Sequence, residues 1–303
     1  MSCLAAEQGR DVADLEAVLL RHVARRACFS DELSRLEASG VDGSAALAPS
    51  VPEPFDPEEV SQLRRYSRQL VLPQVGDEGQ KRLSQARVLV VGAGALGSPV
   101  ALYLAAAGVG SLTLVDPDAV DLSNLQRQIL HGTADLGQPK VASAARRLSD
   151  LNPLVRVDAR AERLTDENAA RLVAAADVVV DGSDNPETRH ALNRACVEQR
   201  KPWVHGAIWR FFGQVTVFEA GGSPCYRCLF PDAPASAERS CEVAGVMGAT
   251  AGIVGSVQAQ EAIRLLLGEK SPLAGVLWTY DGWTMDVERM RYAADPACPV
   301  CGV

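Results

Sequence analysis

The segment that most constrains this chain is Arg87-Val88-Leu89-Val90-Val91, followed at once by Gly92-Ala93-Gly94-Ala95-Leu96-Gly97 and an alanine-rich stretch reaching about Gly108. The β-branched run predicts a buried strand and the alanine-rich stretch a helix, so the glycines fall on a strand-to-helix turn. In that context Gly92, Gly94 and Gly97 permit a tight turn, close backbone approach to phosphate and close packing of helix on sheet. Unpaired amides at the helix start would face the phosphates. Ser111-Leu112-Thr113-Leu114-Val115-Asp116 reads as the next strand. Its terminal Asp116 stands about 20 residues on, where a carboxylate can accept hydrogen bonds from ribose hydroxyls.

Further runs at Val155 to Ala159, Asp177 to Asp181 and Pro202 to His205 alternate with helical stretches, the rhythm of a parallel sheet covered by helices. Beyond Gly213 the rhythm changes. Gln214 to Phe218, Gly275 to Tyr280 and Asp286 to Met290 read as strands, with a helix at Ala249 to Leu267 among them, which predicts an antiparallel extension. The expected fold class is therefore α/β, a Rossmann-type, mostly parallel sheet with an antiparallel C-terminal extension. A chain of 303 residues, 47% hydrophobic, suits one large domain with a small appendage. Residues 1–39 are expected to form an accessory helix, from the broken heptad seam of Val12, Leu15, Leu19, Phe29, Leu33 and Leu36. Residues 40–57, rich in Pro, Ala and Ser, read as a linker. The principal domain then runs over 58–303. Asp56-Pro57-Glu58-Glu59 predicts the start of a helix that carries Arg65-Tyr66-Ser67-Arg68-Gln69.

The glycine turn alone does not separate NAD from ATP. The segments Ser123-Asn124-Leu125-Gln126-Arg127-Gln128 and Gln138-Pro139-Lys140 put two cations and an amide shortly after the ribose acid. A dehydrogenase has little need of them, whereas nucleotidyl transfer must neutralise a triphosphate and the charge that grows on it, which is work for Arg127 and Lys140. Asp184, in Asp181-Gly182-Ser183-Asp184-Asn185, follows an apolar strand and is a candidate magnesium ligand, since magnesium takes one or two carboxylates beside phosphate oxygens and water. The alternative for Asp184 is to cap the next helix, and the pair Asp184/Asn185 could divide the two roles. Of eight cysteines, Cys225/Cys228 and Cys298/Cys301 form two Cys-x-x-Cys units, the arrangement that closes a tetrahedral structural zinc site. A redox pair is the alternative. Cys3, Cys28 and Cys196 read as inert thiols.

These segments, with the Arg65 to Gln69 motif and Pro224-Cys225-Tyr226-Arg227-Cys228, resemble in order and spacing the MoeB/ThiF branch of the ubiquitin-activating enzymes from about Val60 to the C-terminus. The resemblance implies a homodimeric adenylyltransferase that uses ATP and Mg2+ to activate the C-terminal carboxylate of a small ubiquitin-like sulfur carrier protein ending in Gly-Gly. It implies that Asp116 holds the ribose, that Asn124, Arg127 and Lys140 attend the triphosphate, that Asp184 holds magnesium, that Ser123 and Asn185 belong to the same cofactor site, and that Arg68 reaches the partner subunit's site. Cys241 matches a cysteine that in some relatives takes part in thioester or disulfide exchange; a buried, inert thiol is the alternative. A separate sulfur donor is expected, because the sequence ends just after Cys301 without an appended rhodanese domain. Trp209, Phe211 and Phe212 depart from the family pattern, as a specialised contact with the carrier or as core aromatics.

A net charge of -8 argues against a broad nucleic-acid surface. The run from Val88 to Val91 is too short to span a bilayer and no charged-then-apolar leader opens the sequence, so a cytoplasmic protein is expected. The rival readings are an NAD-dependent dehydrogenase, a non-catalytic nucleotide-binding module, and a superfamily member that adenylates a tRNA base or a peptide.

Overall fold

A computed structural model of the chain describes residues 57–231 and 245–302. The expected accessory helix, nearly all of the expected linker, and Cys241 lie outside the described residues. The chain divides into two units, residues 1–71 and 72–303. In the first, helix α1 (Pro57–Leu70) starts at the proline, whose fixed φ suits a first helical position, and carries Arg68 in its last turn.

The second unit opens with helix α2 (Gly76–Gln85) and then builds one eight-stranded sheet. Its strands are β1 (Arg87–Val91), β2 (Ser111–Val115), β3 (Arg156–Arg160), β4 (Val178–Asp181), β5 (Trp203–Trp209), β6 (Phe212–Phe218), β7 (Val276–Asp281) and β8 (Val287–Arg291). They lie in the order β3-β2-β1-β4-β5-β6-β7-β8. The first five are parallel; β5 to β8 pair antiparallel, as the change of rhythm after Gly213 predicts. Strand β5 extends four residues beyond His205, because it turns directly into β6 with Trp209 opposite Phe212.

Helices cover both faces of the sheet. Val88 and Val90 of β1 point into a core shared with α3 (Gly97–Ala106), α4 (Lys140–Leu151) and α8 (Gly248–Leu266) through Val100, Leu148 and Val254. Leu89 and Val91 point the other way, into a core with α5 (Asp166–Ala174) and α6 (Pro186–Glu198) through Leu172 and Leu192. This two-sided burial is why the strand reads as a continuous apolar run with no polar face. A short α7 (Tyr226–Leu229) lies between β6 and α8 in the chain.

The order of the strands positions the site. The chain winds from β1 outward to β3, then returns to the other side of β1 as β4, so β1 and β4 diverge at a switch point. Val91 is in register with both Val115 and Asp181. The glycine turn, Asp116 and the Gly182–Asn185 turn therefore leave the sheet side by side at its carboxyl edge, where ligands bind in open α/β sheets.

Candidate active site

A cavity of about 790 Å³ opens at this edge; Gly92, Gly94, Asp116, Ser123, Asn124, Arg127, Lys140, Asp184 and Asn185 all line it. Sequence positions spread over about a third of the chain thus converge on one space. The three glycines divide their work. Gly92 has φ +94, and a Cβ there would sit 2.7 Å from the carbonyl oxygen of Gly182. At Gly97 a Cβ would fall 1.8 Å from the carbonyl oxygen of Gly92. Both glycines are required by the chain itself. At Gly94 a Cβ would meet nothing nearer than the Gln128 amide nitrogen at 3.6 Å, so the fold places no comparable demand on this position, which faces the cavity. Helix α3 begins without a side-chain cap, which leaves its N-terminus available to an anion.

The backbone of Ala93 is held at both its N–H and its carbonyl. Its N–H donates to Asp116 Oδ2 at 2.8 Å, and its carbonyl accepts from His131 Nε2 at 2.9 Å, so Nδ1 of His131 is left to accept from the Ser143 hydroxyl at 2.9 Å. Burial pushes the Asp116 carboxyl above its ordinary value, against Lys140 and the amides of Asp118 and Ala93, which pull it down. Burial likewise lowers His131, which favours its neutral form.

Arg127 is held as a preset fork: Nη1 donates to the Ser123 carbonyl at 2.9 Å and Nη2 to Asn124 Oδ1 at 2.8 Å. Ser123 is fixed in turn, its amide and hydroxyl both donating to Asp121 Oδ1 at 2.8 and 2.6 Å. Lys140, the first residue of α4, is buried and reaches Asp118 Oδ2 at 2.9 Å. On the other wall Asn185 caps α6, accepting from the Thr188 amide at 2.9 Å. The cap belongs to Asn185, and Asp184 is exposed to the cavity.

Beneath that wall lies a network centred on the fully buried pair Asp181 and His205. Asp181 Oδ1 accepts from the amide and hydroxyl of Ser183 at 2.9 and 2.6 Å, while Oδ2 accepts from His205 Nδ1 at 2.8 Å and lies 3.5 Å from Arg189 Nε. Burial alone would raise Asp181, but His205, Arg189 and Ser183 outweigh it and hold the carboxyl below its ordinary value. Burial also lowers His205.

The four-cysteine cluster sits apart from the cavity. Sulfurs of Cys225 and Cys298 are 3.6 Å apart, those of Cys228 and Cys301 3.4 Å, and those of Cys225 and Cys228 4.0 Å, with all four within 4.8 Å of one another. A zinc–sulfur bond of about 2.3 Å sets tetrahedron edges of about 3.8 Å, so the cluster fits zinc, and the separations are too long for disulfides of about 2.05 Å. The residues present therefore suit the ion. Asn193 of α6 supports the cluster, its amide donating to Cys225 Sγ at 3.5 Å and its oxygen accepting from the Tyr226 N–H at 3.0 Å. Cys196 is buried in the core and its thiol is pushed up by desolvation, as an inert thiol should be.

Comparison with known proteins decides the family. The ThiF family model matches residues 66–300. The chain belongs to the ThiF family. Among its relatives in that family is a sulfur carrier protein adenylyltransferase of Thermus thermophilus, 51% identical over 249 residues, covering 80% of this chain and 91% of the relative. The SAMP-activating enzyme E1 of Haloferax volcanii is 49% identical over 245 residues, covering 80% and 90%. E. coli MccB shares the fold, with a TM-score of 0.69 at 22% identity over 79% of this chain and 72% of that one.

Of the ThiF-family residues singled out from the sequence, Arg68 lies in the other unit, and Cys241 outside the described residues. No motif in the sequence singles out Asp118, Asp121, His131, Arg189 or His205, which the structure places in or behind the site. Asp121 had a local sign, an acid two residues before a serine, as in an Asx turn; the partners Lys140 of Asp118, Ala93 of His131 and Asp181 of His205 are reached only through the fold. Trp209 and Phe212 are exposed and Phe211 packs edge-on against Trp283 at 5.2 Å, so Trp209 and Phe212 are not core aromatics.

Proposed function

We propose that this chain is an adenylyltransferase that activates the C-terminal glycine carboxylate of a small ubiquitin-like sulfur carrier protein, using ATP and Mg2+ and releasing pyrophosphate. The observation that carries the reading is the joint presentation of Arg127, Lys140 and Asp184 around the Gly94 face of one cavity. Its support is the 51% identity to a sulfur carrier protein adenylyltransferase over nearly the whole of that protein.

In this reading the carrier's carboxylate oxygen attacks the α-phosphorus of ATP. The new O–P bond forms as the bond to the bridging oxygen breaks, and that electron pair leaves with pyrophosphate, giving the acyl-adenylate. A carboxylate is ionised near neutral pH, so no base is required and no proton moves. The protein's task is to hold two anions together and neutralise their repulsion. Lys140 and Arg127 do this along the triphosphate, Asp116 orients the ribose, and the amides at the start of α3 meet the phosphates. Asp184 would hold magnesium, which would supply positive charge to offset the charge that grows on the leaving group. Zinc held by Cys225, Cys228, Cys298 and Cys301 would tie the C-terminal segment to the domain without entering the chemistry.

The reading includes a homodimer in which Arg68 completes the second subunit's site. An apolar groove of about 540 Å³ between α3 and α8, lined by Tyr103, Ile129 and Ile253, offers a face for a second copy. Sulfur, where it follows adenylation, comes from a separate donor, with Cys241 as the candidate thiol for exchange. Alanine at Arg127, Lys140 or Asp184 should abolish carrier-dependent ATP–pyrophosphate exchange while the melting temperature stays close to that of the parent. Near-normal exchange in all three refutes the assignment.

A further inference from the structure

Arg189, in the first turn of α6, lines the same cavity as Lys140 and Arg127, and so presents itself as a third cation for the triphosphate. Its contacts say otherwise. Nη2 donates to the Ser183 carbonyl at 2.6 Å, and Nε lies 3.5 Å from Asp181 Oδ2. Asp181 itself takes the amide and the hydroxyl of Ser183. Every polar group of Ser183 is therefore fixed by the pair Asp181 and Arg189, and the next residue is Asp184. Asn185 holds the far end of the turn by capping α6. Asp184 is thus presented by a turn anchored on both sides.

Two ion pairs decide which cation is free to move. The carboxylate partnered with Lys140, Asp118, is 56% exposed, so a phosphate can draw Lys140 away and water takes over at Asp118. The carboxylate partnered with Arg189 is 0% exposed, and drawing Arg189 away would strand a charge in the protein interior, which is strongly unfavourable. Lys140 is a mobile cation; Arg189 is a fixed one.

We propose that Arg189 is a positioning residue that sets the Ser183–Asp184 turn, and so the metal-binding carboxylate of Asp184, without touching the nucleotide. The inference rests on the reading of Asp184 as the magnesium ligand, and the test separates the two. ATP affinity is measured by calorimetry on the full chain, once in EDTA and once in excess Mg2+, for the parent, Arg189→Lys, Asp184→Asn and the double variant. Arg189→Lys keeps the charge and loses the planar fork. The expected result is metal-free ATP affinity within about twofold of the parent, loss of about tenfold or more of the Mg2+ enhancement, and a double variant no worse than Asp184→Asn.

Equal weakening in EDTA and in Mg2+ would make Arg189 a direct phosphate ligand or a general fold determinant and overturn the proposal. An intact Mg2+ enhancement in Arg189→Lys would also overturn it. If Asp184→Asn keeps the enhancement, the metal role of Asp184 fails and the inference falls with it, by a result distinct from the other two. Should Arg189→Lys not fold, Ser183→Ala serves: it removes one hydroxyl from Asp181 and leaves the buried ion pair. It is expected to lose part of the Mg2+ enhancement alone, and a full enhancement there refutes the proposal.

Discussion

Replacing Gly97 and Gly94 in turn by alanine separates what the fold needs from what the ligand needs. At Gly97 the added Cβ would lie 1.8 Å from the Gly92 oxygen and 2.8 Å from its carbonyl carbon, both backbone atoms. Ordinary contact between heavy atoms begins near about 3.5 Å, so the two segments would have to part by more than about 1 Å. Gly92 cannot yield, since it lies against Gly182, and Gly182 in turn lies against the Gly97 nitrogen. The remaining relief is to lift α3 off β1, which loosens Val100, Ala101 and Leu104, all 0% exposed. Such a change falls in the exceptional class of roughly 4 kcal/mol or more, a large share of a typical total of about 5–15 kcal/mol. At about 2–4 °C per kcal/mol for a domain of this size, the melting temperature should drop by roughly 8–16 °C. Gly94→Ala meets only a flexible amide at 3.6 Å, so its stability should stay within about 0.5 kcal/mol of the parent. Its methyl group enters the face a phosphate must approach, and ATP affinity should fall about tenfold or more. Thermal unfolding and metal-free ATP titration on both variants suffice. A normal melting temperature for Gly97→Ala, or parental ATP affinity for Gly94→Ala, would refute this division of labour.

The same cores set a pH dependence and a metal dependence. His131, His190 and His205 are all lowered chiefly by burial, so below their unfolded value near 6.5 the unfolded chain takes up protons that the folded chain refuses. Stability is therefore full above that value and lost as pH falls toward the folded values, with a slope of up to about 1.4 kcal/mol per pH unit for each histidine. Urea unfolding at pH 7.5, 6.5 and 5.5 should show the fall, and His131→Gln should flatten it by one proton's share; stability that is level or rises on acidification contradicts the assignment. Cys298→Ser should lose bound zinc measured by elemental analysis and lower the melting temperature, because Cys225 and Cys298 are joined across 73 residues of sequence. Full zinc in that variant would sink the four-thiolate site.

The fold was largely legible because burial on both faces imposes residue type. Val88 to Val91 and Val178 to Val180 leave no polar alternative at strand positions whose side chains enter two different cores. The exposed strand β8, Val287–Arg291, lies within one residue of the expected Asp286 to Met290, although no buried face constrains its residue types. Helix α2 announces itself least. Its large apolar core contact is Leu83 alone, and its first residue is a glycine with φ +54, so neither periodicity nor a cap marks it. Strand β5 reads too short because Gly206 interrupts its pattern, yet that glycine is demanded from outside: a Cβ there would fall 2.4 Å from the Gln258 carboxamide.

The site divides along a different line. Residues that would face the ligand are constrained in type by the ligand's chemistry: a triphosphate calls for Arg127 and Lys140, and a magnesium ion for a carboxylate such as Asp184. Such residues carry their meaning in the sequence. Those that aim them are constrained only by distances. His131 reaches Ala93 across 38 residues, and His205 reaches Asp181 across 24. Another side chain of matching reach and donor pattern could hold either carbonyl or carboxylate, so no residue type is announced. Arg189 is the case where the two rules collide: by type it belongs with the phosphate cations, and only the 0% exposure of Asp181 moves it to the other group. A cation's role in such a cavity is therefore read from the solvent exposure of its partner, since a cation can leave a hydrated carboxylate cheaply and a buried one hardly at all.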